Sequence, residues 1–434
     1  MIPPRTLKGF RDYLPKDAGP REALLATARE VYRSFGFRPI DTPALEYTEI
    51  LLGKGGEESD KQLYRFQDHG GRDVGLRFDL TVPLARFVAQ HAGELGTPFK
   101  RYHMGPVWRG ENTQRGRYRE FVQCDFDTIG TESVLADAET LLVVHTLFER
   151  LGLSRSQMRV NHRGILGGVL ENAGIEGDRG AVLRALDKLP KIGPEKVAEE
   201  MMATAGVSRA QAEQVLALPA IDGSREQMLS KVRALVAGSA VGEAGLGCLE
   251  AIDGALARAG VGEQNLRFDL SIARGLDYYT GVVVETFLLD LPDIGSCCSG
   301  GRYDDLASLY TKAKLPGVGA SLGVDRLLAA MDELGLQVPG SPGGGVFLAF
   351  FDEARGADYL ALAQELRRAG LCVELYPEAK KLGAQLKYAD RIGHRLAIII
   401  GENEWQAGVA QVKDLATGSS EEVALADLAR RCQA

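Results

Sequence analysis

The chain has 434 residues, 45% of them apolar and 25% charged, and a formal net charge of −8. That length suits two or three domains, and the composition is that of a soluble globular chain with a well-filled core. The acidic balance argues against a protein that coats nucleic acid non-specifically, although local basic patches can still bind one.

Residues 21–35 read as an amphipathic helix, with Leu24, Leu25, Ala28, Val31, Tyr32 and Phe35 at helical spacing. Gly36 stops it. Residues 37–45 read as a strand interrupted by Pro43, which suits a sheet edge or a strand end. From 66 to 130 the pattern is short strands and turns: a turn at 68–71, then strands at 74–78, 102–108 and 118–129. The last two flank a polar loop, 109–117, and form a hairpin with a long loop of functional character. Residues 135–151 read as a helix ended by Gly152, and 158–162 as a strand. Residues 174–260 change character to several short helices and look inserted, because strand patterning resumes at 266–272 and 282–288. Those two strands, joined without a crossover helix, run antiparallel. The first part is therefore expected to be a mostly antiparallel sheet with flanking helices, and not a dinucleotide-binding fold. The Pro/Gly-rich stretch 338–345 is the clearest boundary. Beyond it, strands at 346–351, 372–376, 396–400 and 409–413 alternate with helices at 357–369 and 382–392 and a terminal helix, as in a compact α/β domain.

No apolar run is long enough to span a bilayer. The segment Met1-Ile2-Pro3-Pro4-Arg5 lacks the apolar stretch of a secretory signal, so a cytoplasmic location is expected. The six cysteines, Cys124, Cys248, Cys297, Cys298, Cys372 and Cys432, form no C-x-x-C pair, and the histidines are scattered. A reduced chain without a protein-bound metal is expected.

Several segments carry candidate chemistry. The hairpin loop presents Arg109, Glu111, Arg115, Arg117 and Arg119, followed by Phe121. Guanidinium forks suit phosphate oxygens, a glutamate accepts from an exocyclic amine, and a ring stacks on a base. The alternative is a charged surface hairpin of self-neutralising pairs. In Ser271-Ile272-Ala273-Arg274-Gly275-Leu276-Asp277-Tyr278-Tyr279, an arginine stands at a strand end with two tyrosines behind it; a strand-turn with core tyrosines is the other reading. Ser299-Gly300-Gly301-Arg302-Tyr303-Asp304-Asp305 offers paired glycines that admit a ligand close to the backbone, or a plain turn. Residues 317–327 read as a glycine-rich strand entering a helix, with Arg326 in its first turn, where it would meet a phosphate. This is not a P-loop, since the Lys-Ser/Thr pair is missing. Asp79 and Thr81 are expected to share one strand face, where a carboxylate and a hydroxyl side by side can hold an ammonium group; a solvent-facing strand edge is the other reading. Asp125 and Asp127 should point to one face, with a cation between or near them, and Gln123 lies on the same strand. Two basic runs stand out: Lys100, Arg101, Arg109, Arg115, Arg117, Arg119, and Lys380, Lys381, Lys387, Arg391, Arg395. Each reads as a nucleic-acid patch or a solvated face.

In order, 109–130, 274–281, 300–304 and 317–327 resemble motif 2, the two histidine-specific signatures and motif 3 of the histidyl-tRNA synthetases. Gly36-Phe37 leading to Pro43 resembles motif 1, which lies at the dimer interface in that class. The tail, with Gln385-Leu386-Lys387-Tyr388-Ala389-Asp390 and Ile400-Gly401-Glu402-Asn403-Glu404, resembles the family's anticodon-binding domain. The resemblance covers nearly the whole chain, and Arg274-Gly275-Leu276-Asp277-Tyr278-Tyr279 is its most specific part.

The resemblance implies an α+β fold: an antiparallel-sheet class II synthetase catalytic domain at 1–173 and 261–337, a helical insertion at 174–260, a linker at 338–345 and an α/β anticodon-binding domain at 346–434. It implies a histidine–tRNA ligase with histidine, ATP, Mg²⁺ and tRNA-His as partners, and a homodimer. Arg109 and Arg274 would be catalytic at the α-phosphate. Histidine would be bound by Asp79, Leu80, Thr81, Arg109, Gln123, Asp127, Arg274, Tyr278 and Tyr279. ATP would be bound by Arg109, Glu111, Phe121 and Arg326, and Gln114 would meet the tRNA end. Asn112 stands where an arginine helps read the extra 5′ guanosine in many bacterial relatives, and Asp305 where glycine is common. The rival reading is the regulatory subunit of ATP phosphoribosyltransferase, which shares the catalytic fold but usually lacks the tail and tends to lose signature residues.

Overall fold

The computed structural model of the protein describes residues 1–53, 62–112, 116–272, 279–341 and 344–433. The chain forms two compact units, Met1–Pro339 and Gly340–Ala434.

The first unit contains β1 (Arg38–Pro39), β2 (Leu45–Tyr47), β3 (Arg65–Gln67), β4 (Asp73–Leu76), β5 (Phe99–Trp108), β6 (Glu120–Ile129), β7 (Ser156–His162), β8 (Leu266–Phe268), β9 (Val282–Leu288), β10 (Cys298–Tyr303) and β11 (Gly317–Gly323). Eight of them make one sheet in the order β1-β5-β6-β11-β10-β9-β7-β8, and three make a small sheet in the order β2-β4-β3. Neighbours in the large sheet are antiparallel except the outermost pairs, β1 with β5 and β7 with β8, which are parallel. The β7–β8 pairing is possible because a long helical stretch separates the two strands in sequence.

Period-two alternation divides the large sheet chemically. In the β5–β6 register, Tyr102 faces Phe126 and Met104 faces Cys124, while Arg101 faces Asp127 and His103 faces Asp125. The first set is apolar and packs under the helix Pro15–Ser34. Tyr32 of that helix lies with its ring 4.9 Å from Phe126 and 5.8 Å from Tyr102, and its hydroxyl donates to the Cys124 carbonyl at 3.2 Å. Each such buried ring contributes roughly 1.5–3 kcal/mol, so this face fixes the sheet. The second set is left to face the site.

Several expectations change. The first helix begins at Pro15, ahead of position 21, because a proline is at ease in a first helical turn and this part of the helix carries no apolar stripe to betray it. The strand expected at 37–45 is two short pieces in different sheets, β1 and β2. Pro39 ends the first on the sheet edge, where its missing N–H is harmless. The strand expected at 74–78 ends at Leu76, and a helix starts at Thr81. Asp79 and Thr81 therefore do not share a strand face.

Residues 163–258 are helical: Arg163–Asn172, Arg179–Leu186, Leu189–Ala205, Arg209–Ala217, Arg225–Val236 and Ala240–Arg258. Ser208 with Gln211, and Ser224 with Gln227, form capping boxes that start two of them. Val182, Met201, Val215, Val232 and Leu246 join the same continuous apolar core as the large sheet.

The second unit holds β12 (Val346–Leu348), β13 (Val373–Leu375), β14 (Leu396–Ile399), β15 (Val409–Asp414) and β16 (Ser420–Ala424), in the order β13-β12-β14-β15-β16. Helices Gly356–Arg368 and Leu382–Ile392 pair with the parallel strands as expected. Strand β16 and the helix Glu402–Ala407 escape a sequence reading. The strand is largely exposed and shows no alternation, and the helix is barely two turns long.

Candidate active site

The polar face of the large sheet centres on β5, β6 and β11. Register places Gly319 beside Asp127, Ser321 beside Asp125 and Gly323 beside Gln123. A Cβ on Gly319 would lie 2.2 Å from the Asp127 carboxylate, so only glycine lets that carboxylate lie over the sheet. One Asp127 oxygen lies 2.5 Å from Arg101 Nη2; the other accepts from the Tyr303 hydroxyl at 2.5 Å. Arg101 is fully buried. The cation expected near Asp125 and Asp127 is thus a side chain of the chain itself.

The same residue corrects the first basic run. Arg101 is interior, and Lys100 is tied to Glu139 and the Phe35 carbonyl, so the run is not one basic surface. In the second unit, Lys380, Lys381, Lys387, Arg391 and Arg395 are all exposed.

Asp79 lies just before the helix Thr81–Leu95 and accepts from the Val82 amide at 3.0 Å. Leu80 is fully buried, so its side chain belongs to the core and only its backbone can meet a ligand. Burial raises the pKa of Asp79, against the opposing pull of the Val82 amide and of Arg109. Burial likewise raises that of Asp127, with Arg101 and the Tyr303 hydroxyl opposing. Asp125 is pushed up to about 7 by burial, with Arg101 opposing and Asp127 adding to the rise. Among the described residues Oδ2 of Asp79, Oδ1 of Asp125 and Oε1 of Gln123 are buried without a hydrogen-bond partner. A cluster of such acceptors fits a ligand that brings N–H donors and positive charge. His103 adds none of that charge: burial and the neighbouring Arg101 and Arg77 push its pKa down to about 4.

Arginines gather at the loop end of β5 and β6. Arg109 donates from Nε to the Phe78 carbonyl at 2.9 Å, and its guanidinium lies 5.2 Å from the Phe121 ring centroid. Glu111 sits between Arg109, at 3.7 Å, and Arg117, at 3.1 Å. The self-neutralising pairs expected for this loop therefore exist, and they hold Glu111 beside Arg109, which also lies over Phe121. Arg326 lies in the first turn of the helix Val324–Glu333, which springs from the end of β11. Its guanidinium donates to the Ser296 carbonyl. Gly116 passes so close that a Cβ there would lie 3.6 Å from the Arg326 Cα. The loop and this helix thus meet at one end of the sheet.

The paired glycines Gly300 and Gly301 lie within β10 and are not a turn. A Cβ on Gly301 would meet the Tyr279 ring at 3.0 Å, so Tyr279 rests on the sheet where Gly301 leaves room. Arg274, Tyr278, Gln114 and Arg115 lie outside the described residues. Sequence reasoning missed the roles of Arg101 and Tyr303, and the Ser321 hydroxyl that accepts from Gln123 Nε2 at 3.3 Å. For Arg101 and Tyr303 a signal existed: period two along β5 and β10 sets both on the face of Asp127.

A buried acidic cluster beside Arg109 and the helix of Arg326 suits an amino acid lying next to a nucleoside triphosphate. The family model described as histidyl-tRNA synthetase matches residues 9–327, and that of an anticodon binding domain matches 347–434. The chain is 60% identical to the histidine–tRNA ligase of Rhodopirellula baltica over 98% of this chain and 96% of that protein. It is 47% identical to the histidine–tRNA ligase of Wolinella succinogenes over 96% and 95%. Its fold matches the crystal structure of histidyl-tRNA synthetase from Nostoc sp. PCC 7120 with a TM-score of 0.89 at 35% identity, covering 100% of this chain and 99% of that one. The chain belongs to the histidyl-tRNA synthetase family.

Proposed function

We infer that this chain is a histidine–tRNA ligase: it activates L-histidine with ATP and transfers the histidyl group to the 3′ end of tRNA-His. The observation that carries this reading is the buried acidic cluster around Asp127 and Asp79, with Arg109 beside it at the loop end of the same hairpin. The regulatory-subunit reading is disfavoured by the anticodon-binding match at 347–434 and by full-length ligase relatives.

In the mechanism, the histidine carboxylate attacks the α-phosphorus in line, pyrophosphate leaves and histidyl-adenylate remains. Charge accumulates on the phosphoryl oxygens, so preorganised arginines are the expected catalysts. Arg109 and Arg274 serve the α-phosphate and the attacking carboxylate, and Arg326 the distal phosphates. Glu111 accepts from the adenine amine and Phe121 stacks on the base. Asp79 and Thr81, with the Leu80 backbone, hold the ammonium group, and Gln123 the carboxylate side. Asp127, Tyr278 and Tyr279 read the imidazole. A ribose hydroxyl of the tRNA, whose end meets Gln114, then attacks the activated carbonyl.

Mg²⁺ would accompany ATP and supply positive charge at the distal phosphates, alongside Arg326. Among the described residues no group of His, Cys, Asp or Glu is arranged to hold a metal. The layout has a catalytic domain at 1–173 and 261–337, an insertion at 174–260 and an anticodon domain at 346–434. In this reading the enzyme is a cytoplasmic homodimer, with the segment 36–43 that resembles motif 1 at the dimer interface. Among the described residues no helix is long and apolar enough to cross a membrane.

Incubation with tRNA-His transcript, ATP and labelled histidine tests this. Acid-precipitable histidyl-tRNA is expected, and its absence would refute the ligase reading.

A further inference from the structure

Among the described residues Arg101 is the largest completely buried side chain, and a guanidinium is an expensive thing to bury. Its register partner across β5 and β6 is Asp127, and the ion pair there is 2.5 Å. Nothing in the apolar core needs it, since it projects from the opposite face of the sheet, where Asp125, Asp127 and Tyr303 lie. Among the described residues none of its three nitrogens makes a hydrogen bond of good geometry, and Nη2 is held against Asp127 as a close ion pair. The Asp127 carboxylate is thus clamped from two sides, by Arg101 on one oxygen and by the Tyr303 hydroxyl on the other. Gly319 keeps the space over the sheet that the carboxylate occupies.

We propose that Arg101 is the positioning residue for histidine recognition, holding Asp127 ionised and in one orientation so that it accepts an imidazole N–H. The proposal rests on the ligase reading. Each carboxylate oxygen has two lone pairs, so Asp127 keeps acceptor capacity after meeting Arg101 and Tyr303. Without the guanidinium, a carboxylate buried beside Asp125 takes up a proton and loses much of that capacity. Arg101 touches neither ATP nor the phosphates in this scheme, so its removal acts on one substrate alone.

The test is pyrophosphate exchange by the full chain carrying Arg101→Met or Arg101→Lys, with histidine and ATP varied in turn and folding checked by thermal melting. Arg101→Met is expected to raise KM for histidine on the order of thirtyfold or more, the effect of stripping one partner from a buried charge pair, and to leave KM for ATP within about twofold. Arg101→Lys restores charge without the fork and is expected to recover part of the loss. Equal rises in both KM values, or an unchanged KM for histidine, would overturn the proposal. Should Arg101→Met fail to fold, Arg101→Lys decides by the same split. If the unsubstituted chain shows no histidine-dependent exchange, the ligase reading itself fails.

Discussion

Arg11 lies 2.5 Å from Asp325, joining the N-terminal arm to the helix turn that carries Arg326. Its guanidinium packs 3.9 Å from the Tyr118 ring and 4.2 Å from the Tyr13 ring. Tyr13 donates to the same Asp325 oxygen at 2.8 Å, and the Arg119 amide donates to the Gly9 carbonyl at 2.9 Å. One arm therefore ties the end of the arginine loop to the helix of Arg326.

Arg11→Ala should accordingly disturb the triphosphate side of the site. Steady-state exchange is expected to show KM for ATP raised about tenfold, and KM for histidine changed less than about threefold. Partial exposure of Arg11 limits the stability loss to roughly 1–3 kcal/mol. An unchanged KM for ATP would show that the arm is only structural.

Gly319→Ala tests the space over the sheet that Asp127 occupies. The added methyl would sit 2.2 Å from the Asp127 carboxylate and 2.3 Å from the Phe126 carbonyl. Overpacking of this kind costs about 1–3 kcal/mol, and here it also displaces Asp127. Thermal melting should show a lower midpoint, and histidine affinity should fall at least about tenfold. Unaltered affinity in a folded variant would mean that Asp127 does not read histidine.

Asp125 gives a pH signature. Burial raises its pKa from 3.8 to about 7, so the folded chain keeps a proton that the unfolded chain releases between those values. The stabilisation is fully present below pH 3.8 and is lost as pH rises through about 7. Asp125→Asn stays uncharged throughout. Its melting midpoint, measured relative to the parent chain without substrate, should therefore climb by several degrees between about pH 5 and about pH 8. Asp137, raised to about 6, acts in both proteins and cancels in the difference. A flat difference would refute the shift.

Much of this was legible in the sequence, for identifiable reasons. The β5–β6 hairpin, the glycine-rich β11 and the helix of Arg326 announce themselves through long alternating strands and turn chemistry. The helix at Thr81 does not, because Pro83 and the preceding strand residues disguise a first helical turn that tolerates proline. Arg101 reads as surface in the sequence because charge runs usually are. Only the pairing of β5 with β6 shows that its partner is a buried carboxylate. Tyr303 was hidden by the glycines before it, which suggest a turn although the neighbouring Val282 carbonyl and Tyr279 ring are what require Gly301.

The most direct test of the account is exchange of labelled pyrophosphate into ATP, run with each of the standard amino acids in turn. Exchange that depends on histidine alone, and that Asp127→Ala reduces by raising KM for histidine, is the predicted result. Exchange driven equally by another amino acid, or none with histidine, would contradict it.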